Sequence, residues 1–403
     1  MNGGSTVADL SGTPIVFRSA VKTIIRNWSI GALTFVLPDG REIRLVGSEP
    51  GPDARLIVRD YDFIKRTIAN GTIGFGEGYM GEEWDTPDLS ALLEVLASNF
   101  ARFENVAFGN RLMAMVNLVH HTIRRNSRSG SRKNIHAHYD LGNAFYSRWL
   151  DPTMTYSSAR FERPGERLCV AQTRKYRTLC ESMSLAPGHH VLELGCGWGG
   201  FAEFAAKEVG ARVTGITISE EQYKFAQERL FREGLNERAE VRLIDYRDVE
   251  GQYDRVASIE MFEAVGERYW PTYFAKVRDC LKPGGQAGLQ IITIQEELFE
   301  HYRSRPDFIQ KYIFPGGMLP SEERLKAVTD GAGLGWGAIS RFGVCYADTL
   351  AEWGRRFEAA WDDITRLGFD ERFRKLWRFY LSYCEAGFRT ARTDVVQLAL
   401  TRA

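Results

Sequence analysis

The chain has 403 residues, and its 52 basic side chains are balanced by 52 acidic ones, which excludes broad electrostatic capture of nucleic acid. Its length suits two domains with full cores. Six scattered cysteines without a CxxC pair, and histidine pairs without further ligands nearby, exclude a disulfide frame and point to no metal site.

Met1–Leu10 is small and polar, so no apolar leader is expected, and no run approaches the length that spans a bilayer. Residues 1–14 read as a loose tail. Trp28 to Val46 reads as a hairpin about the turn Leu37-Pro38-Asp39-Gly40. Arg55–Val58 suggests a strand and Tyr61–Ile68 a helix. Thr86-Pro87-Asp88 then supplies an N-cap and a first-turn proline for a helix through Leu92, Leu93 and Leu96. Residues 1–100 are therefore expected to form a small α+β domain.

Residues 101–137 are read as a helix and basic linker. Phe103, Val106, Met113, Met115, Val119 and Ile123 form an apolar stripe from Ala101 to Arg124. Arg124, Arg125, Arg128, Arg132 and Lys133 follow without an intervening acid. The stripe suits a core or domain interface, and the basic run suits either a solvated loop or phospholipid headgroups.

Residues 138–403 alternate strands and helices. His190–Leu194, Arg212–Ile216, Glu240–Ile244, Arg255–Ile259 and Ala287–Ile294 are strand candidates. Phe201–Val209, Glu220–Glu233 and Trp270–Leu281 are helix candidates between them. This predicts a doubly wound α/β sheet covered on both faces. Gly335–Phe342 and Val395–Leu400 suit its edge, and Thr349–Leu367 with Asp370–Phe388 suit a helical cap over the cleft.

The densest chemical signal is Val191 to Gly200, an apolar strand ending in Glu193 and then Gly195-Cys196-Gly197-Trp198-Gly199-Gly200. Glycines there let the backbone approach a ligand at the carboxyl end of a parallel strand. Their spacing departs from Gly-x-Gly-x-x-Gly, so a dinucleotide is a poor fit, whereas E-x-G-x-G-x-G resembles motif I of S-adenosylmethionine-dependent methyltransferases. Thr217 and Ser219 follow the second strand, with Ser219 also a plain N-cap. Asp245 and Tyr246 follow the third, where they suit an adenine ring. Glu260 and Glu263 follow the fourth, and strand ends point into the cleft.

The chain resembles the cyclopropane fatty acid synthases and their mycolic-acid relatives from about residue 70 to the end. The resemblance is carried by His138–Asn143, Leu150-Asp151 through Ser157, Leu192–Gly200, Gly215–Gln222, Met261-Phe262-Glu263 and Tyr312–Gly317. It implies a class I methyltransferase (Rossmann-like) sheet with S-adenosylmethionine held by Tyr156, Ser157, Gly195, Gly197, Thr217, Ile218, Gln222, Tyr246 and Ile259. Glu193 and Asp245 join that set from the strand pattern. The implied substrate is an unsaturated phospholipid acyl chain, reached at the membrane surface with help from the amino-terminal domain. The enzyme is then expected to be cytoplasmic and peripheral to the inner face of the membrane. A homodimer is left open.

The chemistry agrees with that resemblance. An isolated alkene is a weak nucleophile, so a sulfonium methyl must be held beside it, and the resulting cation needs aromatic faces and a base. In the family the base is bicarbonate, held by Cys, Glu, His, Tyr and a backbone Ile position. Here Glu263, Tyr380 and Ile292 match, while Ser158 and Gln290 replace the Cys and His. Ser and Gln hydrogen-bond an oxyanion but cannot share its proton as His does. Bicarbonate is thus a weaker expectation than S-adenosylmethionine, and a methyl-branched or methylated unsaturated chain stands as the alternative to a cyclopropane.

Overall fold

The computed structural model describes residues 9–107 and 141–403. The basic run at 124–133, most of the stripe before it and His138–Asp140 lie outside the described residues. The amino-terminal unit runs α1 (Ile15–Asn27), β1 (Ile30–Val36), β2 (Glu42–Val46), β3 (Glu49–Val58), α2 (Asp62–Met80), β4 (Trp84–Asp85) and α3 (Leu89–Ala107). Its sheet has the order β2-β1-β3-β4, and β1 pairs antiparallel with β2 and parallel with β3.

The expected hairpin is present. Helix α1 was not legible as an element: it carries an apolar face whose Phe17 and Val21 are buried, but no side-chain N-cap marks its start. The predicted helix at Tyr61–Ile68 is the first part of the much longer α2, which breaks at Gly71 (φ 58°, ψ −135°). Only glycine adopts that backbone at low cost, so the chain turns within the element and continues.

The second unit begins with α4 (Asn143–Trp149) and α5 (Leu168–Ser182). It continues through β5 (His190–Leu194), α6 (Gly200–Phe204, extended by a wide turn at Ala205–Val209), β6 (Arg212–Thr217), α7 (Glu220–Arg232), β7 (Ala239–Leu243), β8 (Tyr253–Ile259), α8 (Trp270–Cys280) and β9 (Leu281–Ile294). After α9 (Glu296–Ser304), α10 (Phe308–Tyr312) and α11 (Glu322–Gly331) come β10 (Leu334–Arg341), α12 (Gly343–Ala359), α13 (Trp361–Thr365), α14 (Glu371–Arg389) and β11 (Thr393–Arg402). The sheet order is β10-β11-β9-β8-β5-β6-β7. It is parallel from β9 to β7, and the β10–β11 edge is antiparallel. The strand order reverses between β5 and β8, the place where such sheets bind ligands.

The two units share one apolar core. Phe17, Leu33 and Trp84 of the first belong to the same cluster as Phe145, Trp353, Trp377 and Phe379 of the second. A Cβ on Gly76 of α2 would lie 2.6 Å from the Phe308 ring, so backbone and ring meet directly. Polar ties reinforce the contact: Ser90 donates to Glu385 at 2.7 Å, and Lys311 and Tyr312 both donate to Glu77.

Candidate active site

Strand β5 ends at the switch point with Glu193 buried below the glycine loop, and its Oε2 has no hydrogen-bond partner among the described residues. Burial pushes this carboxyl up to about 8, against the pull of Lys175 and Arg229. Gly195 and Gly197 both have positive φ. A Cβ on Gly195 would lie 2.7 Å from Met261, whereas one on Gly197 would meet nothing within 4 Å because it points into open space. Trp198 Nε1 donates to Asn143 Oδ1 at 2.7 Å and anchors the loop to α4.

The neighbouring strand ends complete the cleft. Thr217 Oγ1 donates to Gln222 Oε1 at 2.9 Å, and Ser219 caps α7 through Gln222 N without lining the cavity. Asp245 accepts from Arg247 through both carboxylate oxygens and presents Tyr246 beside it. Ile218 and Ile259 add apolar walls. Tyr156 and Ser157 approach from the loop after α4, where Lys175 Nζ donates to Ser157 Oγ at 2.7 Å.

One cavity of about 620 Å³ is lined by all eleven residues expected to hold the nucleoside, together with Glu263, Ile292 and Tyr380. A buried carboxyl with an unpartnered oxygen, a backbone turn open to the cavity and adjoining polar strand ends fit an adenosyl sulfonium. Glu193 and Gln222 would hold its ribose, and Asp245 and Tyr246 its base.

Ser158 and Gln290 stand elsewhere than expected, because neither lines the cavity. Ser158 Oγ donates to Ala159 O, and Gln290 is buried behind the wall. The group in front of them is Glu260. Its Oε1 accepts from Ser158 N at 2.8 Å and Gln290 Nε2 at 2.7 Å, and its Oε2 accepts from Tyr346 at 2.6 Å. Glu260 is also one of the few non-glycine residues with positive φ, at 48°. Such a conformation is strained and is held here by these three donors.

Glu260 faces the cavity while lying deep in the protein. Burial raises its carboxyl, opposed by Tyr346, the nearby Lys175 and the other donors. Burial likewise lowers the Lys175 ammonium, with Glu260 pulling against it. Burial pushes Glu263 up to about 8, and Glu260 adds to that rise. Glu263 Oε1 accepts from Ile292 N at 2.6 Å, while its Oε2 has no partner among the described residues. Of the two adjacent carboxyls, Glu260 has three donors and Lys175 nearby to favour its charged form against burial, whereas Glu263 has one donor and an unpartnered oxygen.

Tyr380 does not contact either acid by hydrogen bond; its hydroxyl pairs with that of Tyr156 at 2.7 Å. Tyr346 stacks on Phe388 at 4.4 Å, and Phe314 lies beside the rings of both Tyr156 and Tyr380. The carboxylates are thus faced by aromatic rings able to stabilise a cation. The sequence offered Glu260 as a strand-end acid. Its partners Tyr346 and Lys175 carried no local signal, because they come from α12 and α5.

Fold and cavity together define a class I S-adenosylmethionine-dependent methyltransferase, an enzyme. The family profile described as mycolic acid cyclopropane synthetase matches residues 126–398. The chain belongs to that family. It is 39% identical over 367 residues to the tuberculostearic acid methyltransferase UfaA1 of Mycobacterium tuberculosis, covering 88% of this chain and 84% of the relative. It is 36% identical over 373 residues to the cyclopropane-fatty-acyl-phospholipid synthase of Escherichia coli, covering 89% and 90%. The crystal structure of mycolic acid cyclopropane synthase CmaA1 complexed with SAH and CTAB superposes with a TM-score of 0.64 at 30% identity. That match covers 67% of this chain and 98% of the other.

Proposed function

We propose that this enzyme methylates the double bond of unsaturated acyl chains in membrane phospholipids and that Glu260 takes the proton released. S-adenosylmethionine supplies an electrophilic methyl on a sulfonium. The alkene π pair forms the new carbon–carbon bond as the carbon–sulfur bond breaks and its electron pair stays on sulfur. The adjacent chain carbon becomes cationic against the faces of Tyr346, Tyr380 and Phe314. Glu260 then accepts a proton from a neighbouring carbon, and the freed C–H pair forms a double bond in a methylated, uncyclised chain.

The observation that carries this reading is the position of Glu260. It fills the space between Ser158, Gln290 and Tyr346 with a carboxylate of the protein itself. A carboxylate of the protein itself at this place would take over the role of a bound bicarbonate. The similarity to a tuberculostearic acid methyltransferase supports an open-chain product. Cyclopropane closure, in which the proton leaves the new methyl, is the second reading. It is favoured by Glu263, Ile292 and Tyr380 on the cavity wall and by the similarity to the E. coli synthase.

Among the described residues no helix is long and apolar enough to cross a membrane. We assign contact with lipid to the basic run at 124–133 and the amino-terminal unit, on the cytoplasmic face, a reading supported by the charge of that run. The deciding experiment is mass spectrometry of membrane fatty acids after expression in a host without such an enzyme. A gain of one CH2 on unsaturated chains, with fragmentation assigning a branch, is expected. A ring favours the second reading, and unmodified lipid overturns both.

A further inference from the structure

The cavity does not end at the methyl-transfer centre. Beyond Tyr380 and Phe388 it passes Tyr383 and Gly387 on α14, reaches α2 at Ala69–Phe75, and enters the interior of the amino-terminal unit. It crosses α2 where that helix is broken at Gly71, and residues on both sides of the break line it. An unbroken helix would present a continuous row of side chains there. The break therefore coincides with the passage between the units.

Inside the amino-terminal unit the wall is mostly aliphatic and aromatic, with Thr67, Asn70 and Thr72 of α2 as its polar members. Ile24 of α1, Leu33 of β1, Leu56 of β3, Ile64 of α2, and Leu93 and Leu96 of α3 all face this limb. Leu33 and Leu56 are buried core residues, so the sheet forms the inner wall of this limb. No described Asp, Glu, Lys or Arg of the amino-terminal unit lines it. The charge nearest this limb is Arg392 of the second unit, over the Phe100 ring at 4.8 Å, so the limb's own walls disfavour a glycerophosphate headgroup, whose burial without partners costs several kcal/mol. They suit a methyl terminus.

Resting on the proposed activity, we infer that the amino-terminal unit is an acyl-chain receptacle. It takes the part of the chain beyond the double bond, from the bond to the terminal methyl, while the bond lies beside Glu260. The length of that distal segment is then a specificity determinant read far from the catalytic centre, because a chain too long for the limb cannot seat its double bond.

The test uses the full-length enzyme and phospholipids in mixed micelles. Their acyl chains share the distance from carbonyl to double bond and differ only in carbons beyond it. Ala97→Phe and Leu96→Trp place bulk in the limb on α3. Both are expected to lose turnover on long distal segments by roughly tenfold relative to short ones, the scale of discrimination in an apolar pocket. Their affinity for S-adenosylmethionine, measured by calorimetry, is expected to be unchanged. A chain-length profile identical to wild type overturns the inference.

A second measurement needs no variant. A phospholipid with a diazirine at the terminal methyl of its unsaturated chain is photolysed on the wild-type enzyme and the adducts are mapped by mass spectrometry. Adducts at α1, β1 and α3 are expected, and adducts confined to residues 141–403 overturn the receptacle. If the wild type methylates no unsaturated phospholipid yet gives adducts in the limb, the proposed activity fails and the binding site stands.

Discussion

The side-chain amide of Gln290 on β9 donates to Glu260 Oε1 at 2.7 Å, tying the end of β8 to the strand beside it. The same amide nitrogen reaches Ser158 O at 3.3 Å, and its oxygen accepts from Gln397 Nε2 at 3.1 Å. Gln290 is thereby fixed with its donor side toward the carboxylate. It holds the base rather than serving as one.

Glu260→Gln keeps the shape of the side chain and removes its capacity to accept a proton. Turnover is expected to fall by roughly 10²–10⁴, the usual contribution of a positioned base, with S-adenosylmethionine affinity retained. Bicarbonate-depleted buffer is expected to leave the wild-type rate unchanged. Strict dependence on added bicarbonate, or a Glu260→Gln variant of full activity, contradicts the assignment. Since Glu260 must be ionised, the wild-type rate is expected to fall as pH drops through its raised pKa.

At Gly197 a new side chain would project into the cleft without meeting protein. Gly197→Val is expected to abolish S-adenosylmethionine binding in calorimetry. The positive φ adds a strain of about 1–2 kcal/mol, small enough for the fold to persist. Unchanged affinity would remove the glycine loop from the cofactor site.

Glu263 gives a pH-dependent stability with a definite sign. Its carboxyl titrates near 8 when folded and near 4.3 when unfolded, so the folded state binds more protons between those values. The stability linked to it is full below about 4 and is lost as pH rises toward about 8. Glu263→Gln removes that loss. The difference in Tm between variant and wild type is therefore expected to widen in the variant's favour from about pH 5 to about pH 8. A difference independent of pH would place the carboxyl in contact with water.

Charge reversal at Arg124, Arg125 and Arg128 is expected to weaken binding to anionic vesicles, as salt should for wild type, in sedimentation assays. Binding indifferent to both changes would return this segment to an ordinary linker.

Much of the cofactor cleft was legible because its signals are local. A strand, an acid and glycines lie within ten residues at Val191–Gly200, and each following strand ends in a short polar loop. The base was legible only as a strand-end acid. Its character depends on Ser158, Gln290 and Tyr346, which topology brings together from three separate places in the chain. Ser158 and Gln290 both donate to Glu260 and do not line the cavity, because which side of a loop or strand faces a cavity is not written in the residue pattern. In α2 the glycines lowered the apparent helical propensity of a segment that tertiary packing holds in place. The antiparallel edge of the large sheet was expected as an edge, but its direction is a property of chain return and not of residue pattern.

The shared core has a consequence for how the molecule comes apart. Two sheets in one chain usually suggest two melting steps, each with its own cooperativity. Here Phe379 packs on Phe75 and Tyr79 of α2 from one side and on Phe308 from the other. Loosening the smaller unit would uncover these rings at once and let water into the shared interior. The protein is built to unfold in one event, with catalytic competence vanishing at the same temperature as structure rather than surviving in a detached half.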